Sequence, residues 1–203
     1  MLAAEPGAPF VRPRDFEGDM DFGDPTAVDR ARAALPHETE RLRLRELVPS
    51  DADFILDLVN DPAWLRFVGN RKVHTIEDAE RYIDRVREGS YADRGFGMWA
   101  MDLRADGTTV GIAGLIKRVA LPVPDVGFAL LERHRGHGYA REGVAGTLEV
   151  AKRGFGFTRL ASIITQGHRP SERVVETNGF ALEGPFRWEA TGETLSLYTR
   201  DLD

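Results

Sequence analysis

From Arg41 onward the 203-residue chain sets its apolar side chains in two periods, and the order of those periods predicts its elements. Leu42, Leu44 and Leu47 alternate with Arg41, Arg43 and Arg45 as a half-buried strand does, so the folded domain is expected to begin about there. Ser50-Asp51-Ala52-Asp53 offers an N-cap with an acid three residues on. Phe54, Ile55, Leu58 and Val59 then give a helical stripe that stops before Pro62. Thr75 with Asp78 signals a second helix, with Ile76, Ala79, Ile83 and Val86 as its apolar face and Gly89 as its end. Residues 96–103 and 109–119, joined through Ala105-Asp106-Gly107, predict a hairpin, and Asp125 to Leu131 a further strand. Val144, Leu148, Ala151 and Phe155 recur at helical spacing. Gly143, Gly146 and Gly154 each cost that helix about 1 kcal/mol relative to alanine, which implies close packing. Leu160 to Thr165 reads as a short buried strand and Ser171 to Asn178 as a helix ended by Gly179. The last strands fall at about 181–188 and 194–199, with a turn at Ala190-Thr191-Gly192.

This order predicts an α/β (α+β) domain over residues 37–203, with a mixed, mostly antiparallel central sheet and helices on both faces. Residues 1–36 differ. Pro6, Pro9, Pro13, Pro25 and Pro36 interrupt a stretch in which acids outnumber bases, so an acidic, partly disordered arm is expected there. Ala27 to Leu35 within it would form a helix too short to stand alone. The chain has no cysteine, which excludes disulfides, thiolate metal sites and an acyl-cysteine route. No apolar run approaches the ~20 residues that span a bilayer, and the N-terminus lacks the blocks of a signal peptide, so a cytoplasmic protein without membrane partners is expected. A net charge of -6 argues against nucleic acid and permits a cationic amine substrate. The five histidines lack metal-like spacing, so no metal is expected.

The candidate chemistry lies in Arg133-His134-Arg135-Gly136-His137-Gly138-Tyr139-Ala140-Arg141, between the strand of Asp125 to Leu131 and the helix of Val144. Two glycines separated by one residue let the backbone turn tightly and present successive N–H groups to a phosphate, and the following helix aims its positive end at the same spot. A nucleotide-hydrolysing loop would need Lys-Ser/Thr after its second glycine, where this chain has Tyr139-Ala140. A dinucleotide fold would need a glycine at position 141, which is arginine. Arg-x-x-Gly-x-Gly remains, and with its flanks it resembles the acetyl-CoA loop of the GCN5-related N-acetyltransferase (GNAT) family.

Within that family the chain is similar to the ribosomal-protein N-terminal acetyltransferase (RimJ/RimL-like) branch over roughly residues 38–188. The resemblance is carried by Thr39-Glu40-Arg41-Leu42-Arg43-Leu44-Arg45, Asp125-Val126-Gly127-Phe128, the loop itself and Asn178-Gly179-Phe180. It implies that the backbone of Arg135, Gly136, His137, Gly138, Tyr139 and Ala140 grips the CoA pyrophosphate. It also implies that pantetheine pairs with exposed backbone in a splay between Val126 to Leu130 and Ser162 to Thr165. Arg133, Arg135 or Arg141 would approach the phosphates, and the N–H of Val126 or Gly127 would polarise the thioester carbonyl.

Two departures from the family pattern bear on mechanism. His168 stands where relatives carry an asparagine that contacts pantetheine, and either replaces it or does nothing. Val175 stands where many carry a thiolate-protonating tyrosine, leaving Ser171 as the candidate acid, or else a helix cap. Asp125 is the candidate base on the strand lining the thioester, with a solvated strand-end aspartate as the alternative. Trp64, Arg66, Phe67, Tyr82, Trp188 and Tyr198 are candidates for acceptor contacts or for core, and Trp99 is expected to be core. The function implied is acetyl-CoA-dependent transfer to a primary amine, most simply a protein or peptide N-terminus, by a monomer or homodimer. Two readings stand beside it: a small-amine acetyltransferase, and an acyl-CoA-binding sensor without turnover.

Overall fold

A computed structural model describes residues 28–29, 32–188 and 191–202. Most of the arm expected over 1–36, and Ala190 of the expected last turn, lie outside the described residues. The described end of the arm packs on the domain: Ala34 and Leu35 contact the core, and Arg32 donates to Glu46 at 2.9 and 3.0 Å.

Eight strands form one sheet in the order β1-β2-β3-β4-β5-β6-β8-β7. They are β1 (His37–Glu38), β2 (Leu42–Arg45), β3 (Met98–Leu103), β4 (Thr109–Ile116), β5 (Asp125–Leu130), β6 (Arg159–Thr165), β7 (Ala181–Arg187) and β8 (Thr194–Asp201). Every neighbouring pair is antiparallel except β5 and β6, which are parallel. Between them run α1 (Ala52–Val59), α2 (Pro62–Phe67), α3 (Ile76–Val86), α4 (Tyr139–Phe155) and α5 (Arg169–Thr177). Chain order matches the sequence pattern, with β1 and α2 added.

Local chemistry explains most boundaries. Thr75 and Asp78 form the expected capping box: Asp78 N donates to Thr75 Oγ1 at 3.2 Å and Thr75 N to Asp78 Oδ2 at 3.2 Å. Gly89 does not end α3, which runs on as a π-helical turn over Arg87–Ala92, where Tyr91 turns into the core and its hydroxyl bonds the Met98 carbonyl. Ser50 does not cap α1. Asp51 holds the N-cap position without a side-chain cap bond; its carboxylate instead accepts from Val48 N at 2.8 Å across the preceding 3-10 turn and pairs with Arg45, which also holds Asp102 of β3 at 2.6 Å. Trp99 is fully buried, as expected.

Helix α4 packs on β2, β4 and β5. Its glycines allow the approach: a Cβ on Gly143 would stand 2.2 Å from Met101 Sδ, and one on Gly146 would stand 2.9 Å from Leu44 Cδ1 and Thr39 Cγ2. The N-terminus of α4 is thereby seated at the end of β5.

Candidate active site

β5 and β6 share a single register pair, Asp125 opposite Ala161, with Ala161 N donating to Pro124 O at 3.0 Å. Beyond it the strands diverge, and side chains take over the bridging. Ser162 Oγ donates to Val126 O at 3.0 Å, and Ile163 N donates to Asp125 Oδ1 at 3.1 Å. The β4–β5 ladder fixes what this cleft exposes. Leu131 N donates to Val110 O at 3.2 Å, so by antiparallel alternation Gly127 and Ala129 bond to β4, while Val126, Phe128 and Leu130 turn their main chain the other way. Arg135 occupies Leu130 O at 3.1 and 3.0 Å. The Phe128 N–H and C=O are left facing the divergence with no partner among the described residues. Gly127 is held against β4, where Ile116 and Met98 fill the space that a side chain would need.

Asp125 closes the narrow end. It is buried, not solvated, and its Oδ2 accepts from Arg118 Nε at 2.5 Å. Burial pushes its carboxyl up, against the opposing pull of the Arg118 charge, the Arg118 hydrogen bond and the Ile163 N–H. Arg118 in turn lies over the Trp188 ring at 5.1 Å, so Trp188 covers this ion pair.

The loop follows β5 directly. Glu132–His134 form a 3-10 turn, Gly136 and Gly138 take φ of 80° and 81°, and Gly138 caps α4 with a left-handed backbone. Among the described residues, nothing accepts a hydrogen bond from the main-chain N–H groups of Gly136, His137, Gly138, Tyr139, Ala140 and Arg141, as expected for a loop entering a helix. This run of donors at a helix start fits a diphosphate.

Two ion pairs brace the loop, and the sequence pattern revealed neither. On one side Asp61 caps α2 through Ala63 N at 2.9 Å, accepts from Glu132 N at 3.2 Å and pairs with Arg135 Nη2 at 2.5 Å. Burial raises the Asp61 carboxyl, but Arg135 and the two amides outweigh it and hold it below its ordinary value. On the other side Glu142 accepts from Thr39 Oγ1 and Arg41 N, both at 2.6 Å, and from Arg41 Nε at 2.7 Å. It too is held below the ordinary range despite its burial. Arg133 faces Asp57 at 3.7 Å in solvent, and the His137 ring stacks on Tyr139 at 5.6 Å. His134 buries its Nε2 without a partner among the described residues, and burial lowers its pKa.

The remaining candidates divide. Phe67 of α2 stacks on His168 at 4.0 Å with Arg66 over the Phe67 ring at 5.0 Å, which brings three candidates together at the start of α5. Burial, with Arg66 and Arg135, lowers the His168 pKa against the pull of Glu172, which favours the neutral ring. His168 occupies the N-cap of α5 without a side-chain cap bond. Ser171 sits in the first turn rather than at the cap, half-buried, its hydroxyl without a partner among the described residues. Trp64 is buried with its indole N–H unpartnered among the described residues, Tyr82 packs against the core, and Tyr198 is buried with its hydroxyl pushed up to about 12. An open cavity of 750 Å³ beside the loop is lined by Leu56, Asp57, Asn60, His74, Glu132 and Arg133, among others.

A strand pair splayed at one register, followed by a turn of bare amides and a long helix, is the arrangement of an acyl-CoA-dependent transferase. The family model for the acetyltransferase (GNAT) domain matches residues 41–181, and the chain belongs to that family. It is an N-acetyltransferase that uses acetyl-CoA. The uncharacterized N-acetyltransferase YoaA of Bacillus subtilis (strain 168) is 24% identical over 152 residues, 74% of this chain and 85% of that one. The ribosomal-protein-S5-alanine acetyltransferase of Vibrio fischeri superposes with a TM-score of 0.69 at 18% identity, over 82% of this chain and 96% of that one. RimL, a ribosomal L7/L12 alpha-N-protein acetyltransferase solved in complex with coenzyme A, gives 0.66 at 18% identity over 81% and 96%. Among the described residues no helix is long and apolar enough to cross a membrane.

Proposed function

We propose that the chain transfers an acetyl group directly to the Nα-amine of a protein or peptide, with cofactor and acceptor bound together. The observation that carries this reading is the divergence of β5 and β6 after Asp125 and Ala161, which leaves the Phe128 main chain free in a cleft that leads to the loop. Acetyl-CoA supplies the acetyl group already activated as a thioester. The amides of Gly136 to Arg141 hold its diphosphate, and the Phe128 carbonyl accepts from its pantetheine arm as a strand partner would.

Phe128 N–H is the first main-chain donor turned toward the cleft beyond the Asp125–Ala161 register pair, so in this proposal it polarises the acyl oxygen in place of Gly127, which is engaged with β4. Ser171 is free to donate a hydrogen bond to the departing sulfur. His168, neutral and at the mouth of the cleft, receives the amine's proton. Asp125 is a positioning residue here: both of its oxygens are engaged, and they hold β6 against β5 where the divergence begins.

The protein or peptide acceptor is favoured by the acceptors named for the two superposed ribosomal-protein enzymes. Thiol release from acetyl-CoA is the test, with free-N-terminal peptides set against N-blocked peptides, amino acids, polyamines and aminoglycosides. Turnover confined to free-N-terminal peptides is expected. Turnover only on small amines would overturn the acceptor assignment, and tight CoA binding without turnover on any amine would overturn catalysis.

A further inference from the structure

Arg41 lies in the turn between β1 and β2, about a hundred positions from the loop in sequence, and reaches it in three ways. Its Nε and main-chain N bind the two oxygens of Glu142, its Nη1 donates to His137 O at 2.9 Å, and its guanidinium lies over the Tyr139 ring at 4.8 Å. Its Nη2 has no acceptor among the described residues and stands 3.3 Å from where a Cβ on Gly138 would be. The guanidinium is thus fixed on three sides, with its remaining N–H groups beside the bare amides of the helix start. Glu142 alone would oppose an anion there. Arg41 cancels that charge and keeps its Nη2 donors to spare.

We infer that Arg41 is a ligand of the cofactor's diphosphate, supplied from the β1–β2 turn, and that Glu142 with Thr39 positions it. The inference rests on the cofactor site proposed above. A planar, fixed guanidinium suits a phosphate oxygen better than a flexible ammonium does, because the hydrogen-bonding fork is already oriented.

The test is calorimetric titration of the full chain with coenzyme A and with pantetheine, which lacks the phosphates, at several salt concentrations. Arg41→Met should weaken CoA binding by roughly tenfold to a hundredfold, the worth of one charge-assisted hydrogen bond, and leave pantetheine binding unchanged. It should also flatten the salt dependence of CoA affinity, because one screened charge contact is gone. A loop that merely lost its shape would bind less tightly with the salt dependence intact, and that result would overturn the inference. Arg41→Lys, which keeps the charge, should hold the wild-type salt dependence at reduced affinity; a salt dependence as flat as that of Arg41→Met would also overturn it. If the wild-type chain binds no coenzyme A, the cofactor site itself fails. If it binds and Arg41→Met binds equally well, only the role of Arg41 fails.

Discussion

Replacing Gly143 by alanine pits two effects of opposite sign against each other on the helix that carries the cofactor loop. Alanine at an interior helical position gains about 1 kcal/mol over glycine. Against this, the new Cβ would stand 2.2 Å from Met101 Sδ, a distance no real pair sustains, and 3.4 Å from Ala113 Cβ, which is ordinary contact. Met101 is fully buried, and the clashing sulfur is not the tip of its side chain, so it has to change rotamer or push α4 outward. Overpacking costs about 1–3 kcal/mol, and an approach this close to a buried sulfur belongs in the upper half of that range, about 2–3 kcal/mol, which leaves a net loss of about 1–2 kcal/mol. Melting should fall by roughly 2–8 °C, at about two to four degrees per kcal/mol for a domain this size. CoA affinity should fall with it, because any lift of α4 off β3 and β4 displaces the amides at its first turn. Urea unfolding of Gly143→Ala, Met101→Ala and the double variant gives the coupling directly. The double variant should be at least 1 kcal/mol more stable than the sum of the single losses predicts, since the shortened side chain vacates the disputed space. A single variant as stable as wild type, or a cycle with no coupling, would show that glycine is not what lets the helix approach.

Four further outcomes follow from the same contacts. Asp125→Asn should leave the acid limb of the pH dependence of kcat/KM in place, because Arg118 and Ile163 already occupy both oxygens; disappearance of that limb would make Asp125 the base after all. Gly138→Val should weaken CoA binding at least tenfold by calorimetry, since φ of 81° strains a β-branched residue by about 1–3 kcal/mol. The carboxyls of Asp61 and Glu142 are held below their ordinary values. The stability they contribute is therefore present above the ordinary carboxylate range and lost as pH falls through their lower folded values, and urea midpoints from pH 7 to pH 3 should fall less for Asp61→Asn/Glu142→Gln than for wild type. His168→Gln should remove a pH-rate inflection lying below the usual histidine value; an unchanged profile would exclude His168 as the proton acceptor.

What was legible in the sequence is what neighbouring residues decide among themselves. The Thr75 and Asp78 box, the Asp106-Gly107 turn and the passage from β5 through two glycines into α4 each depend on contacts a few positions apart, and each is found where the pattern puts it. Helix α2 escaped because six residues give too little periodicity, although Asp61 before Pro62 is a capping signal in plain view. A similar signal, Pro170 in the first turn, starts α5 before Ser171. Strand β1 is two residues long and exists only because β2 pairs with it. The ion pairs are a different matter. Asp61 and Arg135 are 74 positions apart, Arg41 and Glu142 are 101, and nothing local distinguishes these four from the chain's other charges. Even Arg118 and Asp125, seven apart, meet only because the strands are placed as they are.

Those long-range pairs answer the question posed by composition. A chain of net charge -6 has to offer a multiply charged anion a place to sit, and carboxylates close to that place raise the cost of binding. Here Asp61 and Glu142, the two acids built into the loop's supports, are each matched by an arginine at hydrogen-bonding distance, so neither projects an unbalanced charge toward the start of α4. Arg135 is engaged by that task and by the Leu130 carbonyl. The attraction left over comes from oriented main-chain dipoles, whose charge is fixed by the fold, and from the Arg41 Nη2 that stands beside them. Such a site needs little from side chains of the loop itself, which is why His137 and Arg133 stand exposed. It depends heavily on the glycines that set the backbone and on the distant residues that keep it in place.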